Sequence, residues 1–255
     1  MRAMTLPPAL RECLDAAQRV VVLTGAGVSA ESGVPTFRDA QTGLWAQFKA
    51  EELATPRAFQ RNPRLVWEWY QWRRALVQRA EPNPAHAALA AWERQVPGFH
   101  LITQNIDGLH QRAGSRRLLE LHGNIHRVKC ATEGTVIDTL AESGELPPRC
   151  PRCGGLLRPD VVWFEEPMPE RETAEAFRLS AACEVFLAVG TSALVYPAAA
   201  LPHEAQGRGA TVVEINLNPT PLTGRADFVL TGAAGVLLPA LLAAAGPRAE
   251  GAEGP

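Results

Sequence analysis

"RVVVLTGAG", residues 19 to 27, decides the reading of the fold. Its unbroken apolar run suits a strand buried on both faces, as in a parallel sheet, and the Gly-Ala-Gly that follows suits a tight turn into a helix. The pattern returns in "FHLITQNID" (99 to 107), "VFLAVGTS" (185 to 192), "TVVEINLN" (211 to 218) and, shorter, "DFVLTG" (227 to 232). Helical stretches such as "PAHAALAAWERQ" (84 to 95) and "ERETAEAFRLSAAC" (170 to 183) separate these runs. Such alternation predicts an α/β fold, a doubly wound Rossmann-like parallel sheet whose ligands gather beyond the carboxyl ends of its strands.

Two intervals interrupt the rhythm. Residues 41 to 80 are helical in character and rich in tryptophan, while residues 123 to 160 carry Cys130, Cys150, Cys153 and several prolines. Both read as insertions, one helical and one a degenerate zinc ribbon, that together form a smaller module. The expected organisation is a single domain over 1 to 242, with its core at 15 to 40, 81 to 122 and 161 to 242. The small module then spans 41 to 80 and 123 to 160, and residues 243 to 255 have the composition of a flexible tail.

With 255 residues, 46% hydrophobic content and a net charge of −2, the chain can bury one substantial core. That balance disfavours a nucleic-acid binder working through a broad cationic face. Only Lys49 and Lys129 are lysines, and no function is drawn from that bias. No stretch approaches the ~20 apolar residues that cross a bilayer, and "MRAMTLPPALREC" lacks a signal-peptide core, so a cytoplasmic location is expected. Five cysteines, three of them clustered, fit a reducing compartment with a metal site better than a disulfide framework. Cys13 and Cys183 read as packed thiols.

Taken alone, "TGAGVSAESGVPTFRD" (24 to 39) is either a ligand-free turn or a place where backbone amides face a diphosphate. Its spacing is not G-x-G-x-x-G and no acidic residue ends the second strand, so an ordinary dehydrogenase is disfavoured. "TQNID" alone reads more readily as a strand end with a helix cap.

In combination the motifs are far more specific. "GAGVSAESGVPTFRD", "TQNIDGLH", "LELHGNIH", "PDVVWFEE", "GTSALVYPAA" and "INLNPT" stand in the order and approximate spacing of the sirtuins, the NAD-dependent protein deacylases. The resemblance runs from about Val20 to Pro239. It implies cleavage of the nicotinamide–ribose bond of NAD and transfer of an acyl group from a lysine, leaving free lysine, nicotinamide and 2′-O-acyl-ADP-ribose.

The resemblance also implies roles. Gly25, Ala26, Gly27 and Ala30, with Gly190, Thr191 and Ser192, match the diphosphate and ribose contacts, while Asn216, Asn218 and Ala234 match the adenosine side. Gln104, Asn105, Ile106 and Asp107 correspond to the nicotinamide pocket, with Asn105 and Asp107 counted as catalytic. Phe37, Arg38 and Trp45 belong to the loop over the cofactor. His122 is the implied general base, since imidazole accepts a proton around neutrality. His86, His100, His110, His126 and His203 read as structural. Val162, Phe164 and Val195 line the expected peptide cleft, where the substrate adds as an extended strand. Glu165 departs from the glycine usual in the family, which puts the local loop geometry in question.

In "PRLVWEWYQWRRALVQ" (63 to 78), Leu65, Trp69, Trp72 and Leu76 form one helical apolar stripe, with Arg73 beside it between Val66 and Val77. A buried arginine is costly unless it meets an anion. Tyr70 and Arg73, three apart, can together hold a carboxylate. The bland reading is an arginine that reaches solvent or pairs with a protein carboxylate. The pair resembles the signature of class III sirtuins, which remove succinyl, malonyl or glutaryl groups, and in "LATPRAF" the small Ala54 matches the room that class leaves. The expected activity is therefore desuccinylation and demalonylation with some acetyl removal.

Two other functions share these residues: a protein mono-ADP-ribosyltransferase, and a non-catalytic sensor of NAD or acyl-peptide. The sensor would have no use for a base at His122. Expected partners are acylated protein lysines, without membrane or direct nucleic acid, and the oligomeric state is open. Zinc is open as well. Cys130, Cys150 and Cys153 match three positions of the family's structural site, but Glu133 stands at the fourth, so the site either takes an oxygen ligand or is empty.

Overall fold

The computed structural model describes residues 6–35, 48–137 and 145–245. Helix α1 (Pro8–Ala16) leads into β1 (Arg19–Thr24), and a short α2 (Ala26–Ala30) follows directly. A helical stretch comes next, with α3 (Ala50–Leu53), α4 (Pro56–Arg61), α5 (Pro63–Arg79) and α6 (Pro84–Gln95). The chain then enters β2 (Gly98–Thr103), α7 (Leu109–Arg112), β3 (Leu118–Glu120), β4 (Gly123–Cys130), β5 (Val136–Ile137) and β6 (Leu157–Val161). It closes with α8 (Glu170–Ala182), β7 (Val185–Val189), α9 (Leu201–Gly207), β8 (Thr211–Asn216), β9 (Phe228–Thr231) and α10 (Ala234–Ala244).

The helical starts are written in the local sequence. Thr55, Asn62 and Asn83 each precede a proline at the first helical position, and their side chains accept from Ala58, Leu65 and Ala85 N–H respectively. Proline loses nothing there because that N–H has no intrahelical partner, and each polar cap is worth about 1 kcal/mol.

Six strands form one sheet in the order β3-β2-β1-β7-β8-β9, parallel throughout. Helices cover both faces. Leu10, Leu14, Leu89, Trp92, Leu238 and Leu241 pack on one side, while Leu179, Leu201 and Ala205 pack on the other. This is the doubly wound sheet expected from the sequence, and its strand order reverses between β1 and β7. The crevice at that reversal is where such sheets bind ligands.

A second, three-stranded antiparallel sheet has the order β5-β4-β6. Helix α5 lies against it, burying Val66, Trp69, Tyr70 and Val77 with Ile125, Val161 and Trp163. The buried face of α5 thus sits one step round from the expected stripe. Leu65 and Trp72 are only partly covered, whereas Arg73 is 7% exposed, because the small sheet covers the flank that carries Val66, Tyr70, Arg73 and Val77.

Candidate active site

The two halves of the main sheet meet at glycine. Gly25 follows β1 and Gly190 follows β7, with Gly190 at φ +57°. A Cβ on Gly25 would lie 2.7 Å from the Gly190 carbonyl oxygen, and one on Gly190 would lie 2.6 Å from the Val28 nitrogen. Only glycine permits this approach. Gly25 N–H donates to Val189 O at 3.0 Å and Gly27 N–H donates to Gly190 O at 2.9 Å. Those two amides therefore hold the strand ends together instead of facing a diphosphate, and the glycines serve by leaving room. Ala26 and Ala30 are exposed beside them.

Thr191 is buried, and its hydroxyl accepts from Gln104 Nε2 at 2.9 Å. Its carbonyl accepts from Asn216 Nδ2 at 2.7 Å. Gln104, Thr191 and Asn216, read from three separate motifs, thus form one contiguous rim above β2, β7 and β8. Ser192 is half-buried next to it, Asn218 is exposed beyond β8, and Ala234 is buried at the start of α10. Phe37, Arg38 and Trp45 lie outside the described residues.

Asn105 and Asp107, 8% and 4% exposed, sit deeper. Asn105 Nδ2 donates to Gly25 O at 3.0 Å and to Ser29 Oγ at 3.1 Å, and Ser29 Oγ donates to Asp107 Oδ2 at 2.7 Å. Asp107 Oδ1 accepts from Leu109 N–H at 2.9 Å, which anchors the carboxylate at the start of α7. Ser29, which the sequence reading passed over, ties the first motif to the second. Ile106 packs into the small module's core beside Ile125 and Val161.

His122 meets the rim at Gln104. Its Nδ1 is 2.9 Å from Gln104 O. A carbonyl can only accept, so Nδ1 carries the proton and Nε2 keeps the bare lone pair. Burial lowers its pKa from the ordinary imidazole value, partly countered by the bond to Gln104 O. A neutral ring with a fixed tautomer and an open Nε2 can take a proton.

The segment after β6 begins beside this histidine, where Val162 N–H donates to His122 O at 2.9 Å. From there side chains alternate, with Val161 and Trp163 buried, Val162 half-buried and Phe164 exposed. Phe164, Leu194, Val195 and Tyr196 leave large apolar side chains in solvent. Glu165 holds φ at +72°, a backbone glycine adopts without strain, and Arg57 grips its carboxylate with two hydrogen bonds of 2.9 and 2.7 Å. The loop geometry that Glu165 put in question is therefore the one a glycine would take.

Trp163, which the sequence reading did not single out, ties the segment after β6 to helices α4 and α5. Its indole N–H donates to Tyr70 Oη at 3.0 Å, its ring lies 5.3 Å from that of Phe59, and the Arg158 guanidinium sits 3.3 Å above it. Arg158 is fixed in turn by Glu166 and Val161 O. Tyr70 Oη accepts from Trp163 and retains its own proton to donate. Burial raises the phenol's pKa, so it stays protonated, and burial lowers that of Arg73, whose guanidinium lies 5.3 Å from the Trp69 ring. Ala54 is buried in the same cluster.

Cys130, Glu133, Cys150 and Cys153 converge at the far end of the small sheet, with ligand atoms within 4.8 Å of one another. Two matching turns bring them there. Gly134 N–H donates to Cys130 O and Gly154 N–H donates to Cys150 O, both at 2.9 Å, with φ of +70° and +74° at the two glycines. Glu133 occupies in the first turn the place Cys153 occupies in the second. Three thiols and a carboxylate at this spacing suit tetrahedral zinc, which accepts sulfur and oxygen ligands.

A family model described as "Sir2 family" matches residues 25–197. A protein of Aquifex aeolicus (strain VF5) named "NAD-dependent protein deacylase" is 55% identical over 210 residues, covering 82% of this chain and 87% of that protein. A solved Sir2 homolog–NAD complex superposes with a TM-score of 0.88 at 42% identity, covering 96% of each chain. A Sir2 homologue mutant complexed with 2′-O-acetyl ADP ribose gives a TM-score of 0.86 at 44% identity, over 93% of this chain and 96% of that one.

Proposed function

This chain belongs to the Sir2 family and is an NAD-dependent protein deacylase, and from that premise we propose that it prefers lysines carrying succinyl or malonyl groups while retaining acetyl removal. The observation that carries the preference is the burial of Tyr70 and Arg73 together on α5, at 1% and 7% exposed. A phenol held protonated and an arginine in a dry setting complement a carboxylate and give a methyl group nothing.

NAD, when bound, supplies the ribose carbon that loses nicotinamide, and the acyl group ends on the 2′-oxygen of ADP-ribose. Toward that chemistry Asn105 and Asp107 hold the nicotinamide side, supported by Ser29. Gln104, Thr191, Ser192 and Asn216 line the ribose and diphosphate path, with room supplied by Gly25, Gly27 and Gly190. His122 Nε2 accepts the proton of a ribose hydroxyl. The exposed apolar side chains of Phe164 and Val195, with the backbone of Val162, receive the acyl-lysine peptide as an added strand. Cys130, Cys150, Cys153 and Glu133 would hold a zinc ion of structural role.

Initial rates on one peptide sequence, carrying either acetyl-lysine or succinyl-lysine, test the preference. Equal efficiencies on the two, unchanged by Arg73→Met, overturn it. Among the described residues no helix is long and apolar enough to cross a membrane.

A further inference from the structure

Beneath Asn105 lies a buried polar layer that none of the roles above uses. Thr24 ends β1, Thr103 ends β2, and the two face each other in register across the parallel pair. His110 projects toward them from α7. The three are 0%, 2% and 1% exposed, in a region where the neighbouring strand positions are valine, leucine and isoleucine. An apolar side chain at any of them would avoid the cost of burying polar atoms, so the hydrogen bonds they make have to offset it.

Those bonds lead to one place. Thr24 Oγ1 donates to Thr103 Oγ1 at 2.8 Å, and Thr103 Oγ1 also accepts the backbone N–H of Asn105 at 3.0 Å. His110 Nε2 lies 2.9 Å from Thr24 Oγ1. With the Thr24 proton committed to Thr103, the imidazole is the donor and carries its proton on Nε2. The chain of donors therefore runs from His110 through two hydroxyls to the oxygen that anchors Asn105. Burial pushes His110 down to about 3, so the ring stays neutral and keeps this tautomer across ordinary pH. His86 stands behind it, with ring centroids 4.7 Å apart and its own Nδ1 accepting from Asn83 N–H.

We propose that His110 is a positioning residue for the NAD-cleaving site, fixing the backbone at Asn105 through the hydroxyls of Thr24 and Thr103. The inference rests on the reading of Asn105 as part of the nicotinamide side. Asn105 Nδ2 already bridges Gly25 O and Ser29 Oγ, so a shift of its backbone moves the first motif and Asp107 with it. The strand register ends at Thr24 and Thr103, Gln104 N–H still donates to Thr24 O at 3.0 Å, and the next N–H, that of Asn105, goes to the Thr103 hydroxyl instead of a strand carbonyl. The hydroxyl chain extends that support into the loop.

The test compares His110→Leu, which fills the volume without a donor, with His110→Gln, whose amide N–H reaches the place of Nε2. Nicotinamide release is followed with NAD and an acetyl-lysine peptide, alongside thermal unfolding. Loss of one positioning bond is expected to lower kcat of His110→Leu about tenfold, with the KM for peptide unchanged. His110→Gln is expected to stay within about threefold of the parent. Thr103→Val and Thr103→Ser repeat the contrast from the other end and decide the matter alone if His110→Leu does not fold. Equal losses in the paired variants, or parental kcat in His110→Leu, overturn the positioning role. Absence of nicotinamide release from the parent protein itself overturns the site reading, and the inference with it.

Discussion

Trp163 donates its indole N–H to the hydroxyl of Tyr70 across 3.0 Å, linking the segment that follows the small sheet to helix α5. The bond occupies one lone pair of the phenol and aims its remaining proton. A fixed phenol thus stands beside the buried Arg73, while Phe164 of the same loop faces solvent. Arg73→Met is expected to lower kcat/KM for succinyl-lysine about 30-fold, the worth of a charge-assisted bond of about 2 kcal/mol. Efficiency on acetyl-lysine should change less than about threefold. Tyr70→Phe should cost about tenfold on succinyl-lysine alone. Parallel losses on both substrates would place the pair in general stability instead of acyl recognition.

His122 must be neutral to act as a base, and its burial lowers its pKa. Protonation on the acid side removes the base, so kcat/KM rises with pH through the lowered value and then levels. The acid limb is expected below the ordinary imidazole value of 6.5. His122→Ala should abolish turnover while leaving NAD binding measurable by calorimetry. A limb centred above 6.5 contradicts the burial argument.

Stability should fall in acid for the same reason. His110 titrates near 3 in the folded protein against an ordinary 6.5, so the unfolded chain takes up its proton first. The stabilisation is complete above 6.5 and is lost as pH falls toward 3. His110 alone accounts for about 2 kcal/mol by about pH 5. His86 and His122 are lowered too and add in the same direction. Denaturant midpoints measured from about pH 7 to about pH 4.5 should drop steadily, and more gently in His110→Gln. A flat profile would mean that these rings are protonated in the fold.

The place of Glu133 opposite Cys153 predicts zinc. Purified, untagged protein is expected to hold about one zinc per chain, measured by elemental analysis. Glu133→Cys should slow zinc transfer to a chromophoric chelator, since a fourth thiolate is a softer and tighter ligand than a carboxylate. Protein with no bound zinc, before or after incubation with the metal, overturns the assignment.

Gly190→Ala should be severe. The added Cβ meets the Val28 backbone nitrogen at 2.6 Å and the residue sits at φ +57°, so about 2 kcal/mol or more should be lost. Gly33→Ala provides the comparison, because φ is +78° there but none of the described residues lies within 4 Å of the new atom. Its cost should be about 1 kcal/mol. Similar unfolding midpoints for the two variants would mean that the β1–β7 contact yields easily.

The strands at 19–24, 185–189 and 211–216 were legible because each is apolar on both faces, the mark of a covered parallel sheet. Helices α5 and α6 were legible from their composition and apolar spacing. Strand β3 was not, since three residues at a sheet edge make no periodic run. Helix α10 escaped for the opposite reason: "AGVLLPALLAA" is apolar all round and shows no face. The stripe on α5 was placed one step away because tryptophan and leucine populate both flanks of that helix, and only the covering sheet selects one. Trp163 was hidden among apolar neighbours, although the alternation from Val161 to Phe164 carries the signal for which side chains turn inward.

By itself the sequence determined the doubly wound sheet, the identity of the catalytic family and the residue types available for each task. These depend on local periodicity and on motifs read along the chain. Tertiary structure alone decided what each of these residues meets. It spent the Gly25 and Gly27 amides on the opposite strand, fixed the proton of His122 on Nδ1 through Gln104 O, and turned Arg73 into the interior. It also set Glu133 beside three cysteines. Each outcome depends on partners distant along the chain, and hydrogen-bond donors, tautomers and burial are settled only when those partners meet.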